Sequence, residues 1–312
     1  MTPLVSIIIP CYNAEFWIAE TLQSALSQTW QSKEIIVVDD GSTDKSLAII
    51  RKFNSPQVKV IVQKNIGASS ARNRALKEAQ GDFIQYLDAD DLLAPDKIER
   101  QVQLLKNGNS DCVAAGEWAR FLNSPKEAKI LPQAVWNDML PVDWLICSWK
   151  GGGMMPIHAW LVPHTIAQKA GIWNEQLSLN DDGEYFFRVV LASQGVKFCP
   201  GAKSYYRSEV KGSLSRKMSP SALASAFLSI ELCTQHLLAR EDSYRIRHSC
   251  AAAYQRFIYL AYPDVPELVQ KAEAQVKLLG GSDFPIEGSR MLQFFSMILG
   301  WKVVKQIQKV IY

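Results

Sequence analysis

The fold of this chain is indicated by residues 82–91, which read Asp82-Phe83-Ile84-Gln85-Tyr86-Leu87-Asp88-Ala89-Asp90-Asp91. The apolar run that ends at Leu87 predicts a largely buried strand, and three carboxylates follow within four residues. Charge of this kind belongs at the carboxyl edge of a sheet, where open α/β sheets bind ligands. Oxygen ligands at this spacing suit a hard divalent cation, which commonly accompanies a diphosphate. The alternative is a solvated turn whose aspartates cap a helix that begins at Pro95.

Length and composition are those of an ordinary globular protein. The 312 residues are enough for one large domain and an appendage, with 48% hydrophobic and 21% charged residues. A net charge of only +3 argues against a general nucleic-acid binder. The six cysteines form no C-x-x-C pair or zinc spacing, which is typical of reduced thiols in a cytoplasmic protein. We expect no signal peptide and no apolar run long enough to span a bilayer.

Strands alternate with helices in the first third of the chain, which predicts a mostly parallel α/β sheet. The strands expected before the one that ends at Leu87 are Val5–Ile9, Glu34–Val38 and Val58–Val62. The helices expected are Ala14–Gln28 with Asn13 as N-cap, one capped by Ser42 or Thr43, Gly67–Gln80, and one from Pro95. Residues 112–206 are less regular, and from Ser219 onward the pattern is helical, with breaks near Asp242, Pro263 and Gly280-Gly281.

Polar side chains follow each of the first four predicted strands. They are Pro10-Cys11-Tyr12-Asn13, then Asp39-Asp40, then Asn65-Ile66-Gly67-Ala68 with Arg72 beyond, and then Asp88 with Asp90. A carboxylate can accept the N–H of a uracil ring, and an arginine can bind phosphate with two parallel hydrogen bonds. The chain has no G-x-G-x-x-G after its first strand and no phosphate-binding P-loop. The set therefore favours a nucleoside diphosphate over a dinucleotide.

These motifs resemble those of family 2 glycosyltransferases with the GT-A fold. The matching segments, in order along roughly residues 3–210, are Val5–Asn13, Val37–Asp44, Gly67–Asn73 and Leu87–Asp91. The resemblance implies an α/β, Rossmann-like fold with a mostly parallel sheet flanked by helices, and an all-helical C-terminal extension. It also implies an inverting enzyme that moves a sugar from a nucleotide-sugar, expected to be a UDP-sugar, to an acceptor hydroxyl.

The resemblance assigns roles residue by residue. It implies that the nucleotide-sugar site consists of Pro10 and Tyr12 around the base, Asp40 at the uracil, Asn65 in the following loop, Arg72 near the diphosphate and Asp88 near the ribose. It further implies that Asp90 ligates a divalent metal, Mg²⁺ or Mn²⁺.

A candidate base lies later in the chain. The stretch Leu177–Arg188 resembles the acidic-pair segment of the family, in which the second acidic residue, here Asp182, deprotonates the acceptor hydroxyl. Adjacent carboxylates in a partly desolvated cleft raise each other's pKa, which suits a base at neutral pH. The alternative is that Asp181 and Asp182 only cap the helix that follows and complement its dipole.

The chain departs from the family pattern at the third metal ligand. Many members carry a histidine shortly after a Tyr-Arg pair, whereas here Tyr206-Arg207 is followed by Ser208-Glu209. The third ligand is therefore open between Glu209 and water. A mobile flap over the donor is implied for Gly212–Arg216, with a loop of no special role as the alternative.

The acceptor side is less defined. Asp181, His158 and Trp160 are possible acceptor-site residues, although a core histidine and a packing tryptophan are the alternatives. The acceptor is expected to be a saccharide or a lipid-linked molecule in cell-surface polysaccharide or glycolipid assembly.

We expect a catalytic domain over residues 1–217 and a helical region over 218–312. The first divides into a nucleotide-binding half, about 1–115, and an acceptor half, about 116–217. Residues 291–312 combine apolar side chains with lysines at helical spacing, which is typical of an interfacial helix on an anionic membrane and also of a helix docked on the protein or a partner. The expected location is cytoplasmic, peripheral on the inner face of the cell membrane.

Two other functions fit parts of the sequence. A phosphohydrolase of the haloacid dehalogenase type also uses an Asp-x-Asp motif, but on its first strand and followed by Gly-Thr. A non-catalytic nucleotide-sugar-binding or scaffold protein would use the helical tail to dock a partner. The presence of Asp88, Asp90 and Asp182 together argues against the second.

Overall fold

A mixed sheet organises the structure, a computed structural model that describes residues 2–208, 218–286 and 290–311. Its strands are β1 Val5–Cys11, β2 Lys33–Asp40, β3 Val58–Gln63, β4 Phe83–Tyr86, β5 Leu92–Leu93, β6 Val113–Phe121, β7 Trp160–Pro163 and β8 Val196–Arg207. Among the described residues these eight strands lie in the order β3-β2-β1-β4-β7-β6-β8-β5.

Helices cover the sheet and form the C-terminal region. Those before residue 209 are α1 Ile18–Leu26, α2 Ser46–Arg51, α3 Ala68–Glu78, α4 Lys97–Lys106, α5 Pro141–Cys147, α6 His164–Ala170 and α7 Asp181–Ala192. Those after residue 217 are α8 Pro220–Arg240, α9 Tyr244–Ala261, α10 Pro266–Leu278, α11 Arg290–Leu299 and α12 Trp301–Ile311. Short 3₁₀ turns occur at Pro125–Glu127 and Ile157–Ala159, and a π-helical turn at Ser148–Gly152.

The register of the parallel strands brings the predicted site residues to one edge. Strand β1 pairs in parallel with both β2 and β4, and β2 pairs in parallel with β3. Because the carboxyl ends of these strands face the same way, Tyr12, Asp40 and Asp88 follow strands that end on that edge. The α/β class and the helical extension are confirmed. The sheet is mostly parallel, as predicted, since β6 and β8 also pair in parallel, and it is mixed because β7 runs antiparallel to both β4 and β6.

The polar residues that follow β1 and β2 hydrogen-bond the two loops to each other, whereas the sequence predicted that they cap helices. Helix α1 begins at Ile18 rather than Ala14, and Asn13 has a left-handed backbone with φ 49°. Asn13 Oδ1 accepts from the amide N–H of Thr43 at 2.8 Å, and Ser42 Oγ accepts from the amide N–H of Asn13 at 3.1 Å. The cap predictions at these positions are wrong because the side chains satisfy the neighbouring loop rather than their own helix.

The hydrophobic core is continuous between the sheet and the C-terminal helices. One face of the sheet packs against α1, α2 and α4. The other face belongs to a single cluster that includes Tyr86 of β4, Tyr185 of α7, Leu237 of α8 and Tyr254 of α9. Helices α8 and α9 are therefore packed into the same core as the sheet. The domain boundary near residue 217 stays a prediction.

Helix α8 contradicts the expectation that no apolar segment is long enough to span a bilayer. Among the described residues it is one helix, of 21 residues, that is long and apolar enough to cross a membrane by length and composition. Half of its apolar window is buried inside the protein, and Leu223, Phe227 and Leu237 belong to the shared core. These contacts are those of a core helix.

Truncation of Leu237 should destabilise the sheet as well as the helices. Because Leu237 is fully buried in the shared cluster, Leu237→Ala is expected to lower the free energy of unfolding by about 2–5 kcal/mol. Urea unfolding followed by tryptophan fluorescence and by circular dichroism measures this, and we expect one common transition for both signals. Leu278→Ala on α10 is the matched control, since that side chain is 70% exposed and its loss should change stability by less than about 0.5 kcal/mol. Separate transitions would contradict the shared core.

Candidate active site

The edge of the sheet to which the sequence motifs assign the nucleotide, called here the nucleotide-facing edge, is formed by the residues at and after the ends of β1, β2 and β3. Tyr12 is 50% exposed directly after β1, and Asn65 is also exposed, whereas Pro10 is buried within β1. Gly41 has a φ of +71°, and a Cβ there would lie 2.8 Å from the backbone nitrogen of Asn65. Glycine at this position allows the two loops to approach each other closely.

The carboxylate of Asp40 organises this edge by accepting one side-chain and two backbone hydrogen bonds. Its Oδ1 accepts from Gln63 Nε2 at 2.8 Å and from the amide of Ile66 at 3.1 Å, and its Oδ2 accepts from the amide of Gly67 at 2.9 Å. A carboxylate has about four acceptor positions, so these three hydrogen bonds leave little further capacity. The contact of Asp40 with uracil stays a prediction.

Arg72 connects two acidic segments that are 93 positions apart in the chain (Asp88 and Asp181). Its Nη2 donates to Asp88 Oδ1 at 2.8 Å, and its Nη1 donates to Asp181 Oδ2 at 2.9 Å. The side chain is buried on α3, and its guanidinium lies 4.4 Å from the ring centroid of Trp173. Desolvation acts against the charged form, but the two carboxylates outweigh it and raise the pKa of Arg72. These contacts are all within the protein, so the predicted proximity of Arg72 to a diphosphate stays a prediction.

The loop after β4 carries three crowded carboxylates. Burial, followed by repulsion from Asp91 and Asp88, raises the pKa of Asp90 to about 8. Arg207 at the end of β8 holds this loop: its amide donates to Asp91 Oδ1 at 2.8 Å, and its Nε donates to the backbone oxygen of Asp90 at 2.8 Å. The loop therefore has fixed backbone geometry, and its surroundings disfavour the charged form of Asp90.

His158 is a core residue and does not reach an acceptor. It is fully buried, and its Nδ1 lies 2.8 Å from Asp91 Oδ2. Burial lowers the pKa of His158 to about 3, so the imidazole is neutral near neutral pH. The predicted acceptor role is wrong because the ring supports the loop after β4 from inside the sheet.

Trp160 is also part of the core. It is 1% exposed, its ring stacks on Phe186 with centroids 5.4 Å apart, and it meets Trp144 edge-on at 5.1 Å. The stack with Phe186 leaves the indole packed mainly against protein, but Trp160 also contributes to the wall of a cavity that includes Asp182, so its place at an acceptor site stays a prediction. Packing was the alternative interpretation of the sequence.

Asp182 has the properties of a base. It lies at the N-terminal end of α7, and its Oδ1 accepts from the amide of Gly183 at 2.8 Å. Burial and the neighbouring charge of Asp181 raise its pKa to about 6, against a lowering effect of Arg72. Asp181 faces α3, where it also accepts from Ser69 Oγ at 3.0 Å. Its role at the acceptor stays a prediction.

Two serines of α8 position the loop before Asp182, and sequence reasoning missed both. Ser225 Oγ accepts from the amides of Ser178 and Leu179 at 2.8 and 3.1 Å. Ser229 Oγ accepts from Asn180 Nδ2 at 2.7 Å and donates to the backbone oxygen of Asn180 at 3.1 Å. Asn180 has a left-handed φ of 63°, which these bonds help to hold. The serines lie four positions apart on one helix face, but that spacing alone does not reveal their partners.

The carboxylates after β4 fit part of a divalent metal site. Burial and the nearby carboxylates penalise the charged forms of Asp90 and Asp91, and a cation would relieve that penalty. Across residues 2–208, 218–286 and 290–311, no three His, Cys, Asp or Glu side chains converge into a complete metal-binding cluster. Within those residues, the protein therefore supplies only some of the ligands that a metal ion would need. Glu209 and Gly212–Arg216, to which the sequence assigned a ligand and a flap, lie outside the described residues.

The fold is that of GT-A glycosyltransferases. Residues 6–141 match the family described as "Glycosyl transferase family 2". An uncharacterized glycosyltransferase of Rickettsia felis is 32% identical over 252 residues, which cover 77% of this chain and 40% of that protein. The chain thus carries a family 2 glycosyltransferase domain, as the sequence motifs predicted.

Relatives with more specific names match shorter segments. An Escherichia coli protein described as "UDP-Glc:alpha-D-GlcNAc-diphosphoundecaprenol beta-1,3-glucosyltransferase WfgD" is 40% identical over 107 residues, which cover 34% of this chain and 42% of that protein. These matches span less than half the length of the relatives. Relatives of the chain therefore include proteins of polysaccharide biosynthesis.

Solved structures confirm the fold. S. aureus TarS 1-349 in complex with UDP-GlcNAc has a TM-score of 0.63 at 19% identity, covering 98% of this chain and 91% of that one. The Pyrobaculum calidifontis mannosyltransferase PcManGT, in complex with GDP-Man and Mn²⁺, has a TM-score of 0.55 at 15% identity. The match covers 99% of this chain and 88% of that one. The likeness to TarS extends over the C-terminal helices as well as the sheet.

Loss of the double ion pair of Arg72 should be measurable without any substrate. In Arg72→Lys, a single ammonium cannot pair with both Asp88 and Asp181, so we expect the free energy of unfolding to fall by about 1–3 kcal/mol. Arg74→Lys is the matched control on the same helix, because Arg74 is exposed and pairs only across the surface with Glu78. Urea unfolding of the two variants makes the comparison. Equal stabilities would contradict the bridging role of Arg72.

Proposed function

We propose that this protein is an inverting glycosyltransferase that moves a sugar from a UDP-sugar to an acceptor hydroxyl, with Asp182 as the base. The observation that carries the proposal is the chain of contacts Asp88–Arg72–Asp181, which joins the nucleotide-facing edge to the helix that begins with the acidic pair. A transferase needs its donor site and its base held at a fixed separation, and this chain of contacts supplies that constraint.

The residues divide the reaction between them. The carboxylate of Asp182 takes the proton of the acceptor hydroxyl, and the oxygen attacks the anomeric carbon of the donor sugar. The bond from that carbon to the diphosphate oxygen breaks as the new bond forms, so the configuration inverts. With a pKa of about 6, Asp182 is largely ionised at neutral pH and still basic enough to accept a proton.

A uridine donor is supported by this edge and by the relatives. Tyr12 offers an exposed ring at the end of β1, and Asp40 at the end of β2 keeps about one of its four hydrogen-bond acceptor positions for the N–H of uracil. The TarS structure contains UDP-GlcNAc, and WfgD is named for UDP-Glc. Asn65 and Asp88 would complete the nucleotide-sugar site.

Asp90 is the residue that would hold a divalent cation, Mg²⁺ or Mn²⁺. When bound, the cation supplies positive charge that favours departure of a diphosphate. The raised pKa of Asp90 and the Mn²⁺ in the PcManGT structure both support this part of the proposal.

The acceptor is proposed to be a saccharide or lipid-linked molecule at the inner face of the cell membrane. The name of WfgD supports a lipid diphosphate acceptor. One side of α12 packs on the protein, since Trp301 meets Tyr262 edge-on and Val304 is buried. Val303 and Ile307 are exposed there, as are large apolar side chains of α11, and they would contact the membrane. The six free thiols agree with a cytoplasmic location.

Replacement of the base should separate binding from transfer. Asp182→Asn keeps the size of the side chain but cannot accept the proton, so we expect kcat to fall by about 10²–10⁴-fold. UDP affinity, measured by calorimetry, should stay within about twofold of the wild type. In the wild type, transfer should be lost as pH falls through about 6, because protonation of a group with a raised pKa removes the base.

Transfer that persists in Asp182→Asn at the wild-type rate would assign the base elsewhere. Intact UDP binding with no transfer to any acceptor in the wild type would favour the binding-protein alternative instead.

Metal dependence of UDP binding tests the donor site directly. We expect calorimetry to show UDP binding that strengthens at least tenfold with Mn²⁺, and GDP binding that is weaker. Asp90→Ala should abolish the Mn²⁺ effect because it removes the carboxylate that would hold the cation. Asp96→Ala is the control, since that exposed carboxylate pairs with Arg100 away from this edge. A Mn²⁺ effect that survives in Asp90→Ala would refute the metal assignment.

A further inference from the structure

A cavity of about 400 Å³ lies between the catalytic region and the C-terminal helices. Asp182 and Phe186 of α7 contribute to one wall, and Ile230 of α8 with Phe257 and Leu260 of α9 contribute to another. The volume falls in the range of roughly 300–1,000 Å³ that is typical of ligand pockets. Because Asp182 is part of the wall, a molecule in this cavity would lie beside the proposed base.

The lining of the cavity is mainly aromatic and aliphatic. Its few polar side chains are largely engaged with the protein: Asn180 Nδ2 donates to Ser229 Oγ at 2.7 Å, and Ser148 Oγ donates to the backbone oxygen of Gly153 at 2.9 Å. A sugar residue brings several hydroxyl groups, and buried hydroxyls without partners cost free energy. The cavity therefore suits an apolar chain better than a sugar ring.

A positively charged side chain lies on the wall of the cavity that α9 forms. Arg256 of α9 lines the cavity, and its guanidinium lies 4.7 Å from the ring centroid of Phe284. Arginine is well suited to a phosphate group, which it binds through charge-assisted hydrogen bonds. A carboxylate base, an arginine and an apolar interior together match an amphiphile with a phosphate near its polar end.

We infer that this cavity binds the apolar chain of an acceptor in which the chain is joined through phosphate to the group that carries the attacking hydroxyl. The placement of the hydroxyl rests on the proposed function, whereas the chain-binding cavity does not. The C-terminal helices then have a defined role, since α8 and α9 form one wall of the acceptor site. The family match ends at residue 141, before most of the lining residues, so acceptor choice resides in the part of the chain that it does not cover.

Farnesyl monophosphate, an isoprenoid chain with one phosphate, is the probe for this inference. Trp144 and Trp149 line the cavity, so their fluorescence should change saturably when the probe is added below its critical micelle concentration. We expect Leu260→Glu, which places a charge at a side chain that is 45% exposed, and Ile230→Trp, which fills space, to weaken binding at least tenfold. Leu278→Glu on α10 is the control, because Leu278 is exposed and does not line the cavity, and it should bind like the wild type. Thermal melting of each variant confirms that it is folded.

The outcomes distinguish this inference from the proposed function. Absence of a saturable signal, or equal affinity in all variants, would overturn the cavity as a chain-binding site. Binding of N,N′-diacetylchitobiose that the same two substitutions weaken, without binding of farnesyl monophosphate, would make it a saccharide subsite and also overturn the inference. UDP binding is measured on the same samples. Variant-sensitive binding of farnesyl monophosphate without any UDP binding would support the cavity and refute the proposed donor.

Discussion

The site depends on one buried arginine that pairs with two carboxylates. Arg72 is held over Trp173 and pairs with Asp88 on one side and Asp181 on the other. Burying a guanidinium is costly, and the cost is offset only when the geometry satisfies its charge. The two ion pairs meet that condition, and in doing so they fix the distance between the nucleotide-facing edge of the sheet and the start of α7. Asp182 follows Asp181 directly, so the position of the candidate base is set from the donor side.

The C-terminal helices set the position of the base from the other side. Ser225 and Ser229 of α8 hydrogen-bond the loop that leads into α7, and the same helices share a hydrophobic core with the sheet. The helical region is therefore part of the structure that positions Asp182. It also contributes a wall of the cavity beside Asp182, which connects the choice of acceptor to residues well beyond the family motifs.

Sequence reasoning succeeded where the signal was local. The apolar strands ending in polar residues gave the α/β class, and the breaks near Asp242 and Pro263 gave the limits of α8 and α9. It failed for His158, because a polar residue in a short apolar segment has the same pattern whether it faces a ligand or the core. It also failed for Asn13, whose side chain bonds a loop 30 positions later in the chain. Long-range partners of this kind have no periodic signature.

The sequence by itself determined the order of the strands and helices, the family motifs and the acidic residues that are available for chemistry, because each depends on residue type and short spacing. Only the tertiary structure decided which of those acidic residues change their protonation behaviour. The pKa of Asp182 rises because it is buried beside Asp181, and that of Asp90 rises because the loop after β4 is buried and brings Asp91 and Asp88 close to it. Burial and the distances between charges are properties of the folded chain, and they distinguish Asp182 and Asp90, the proposed base and metal ligand, from ordinary surface aspartates.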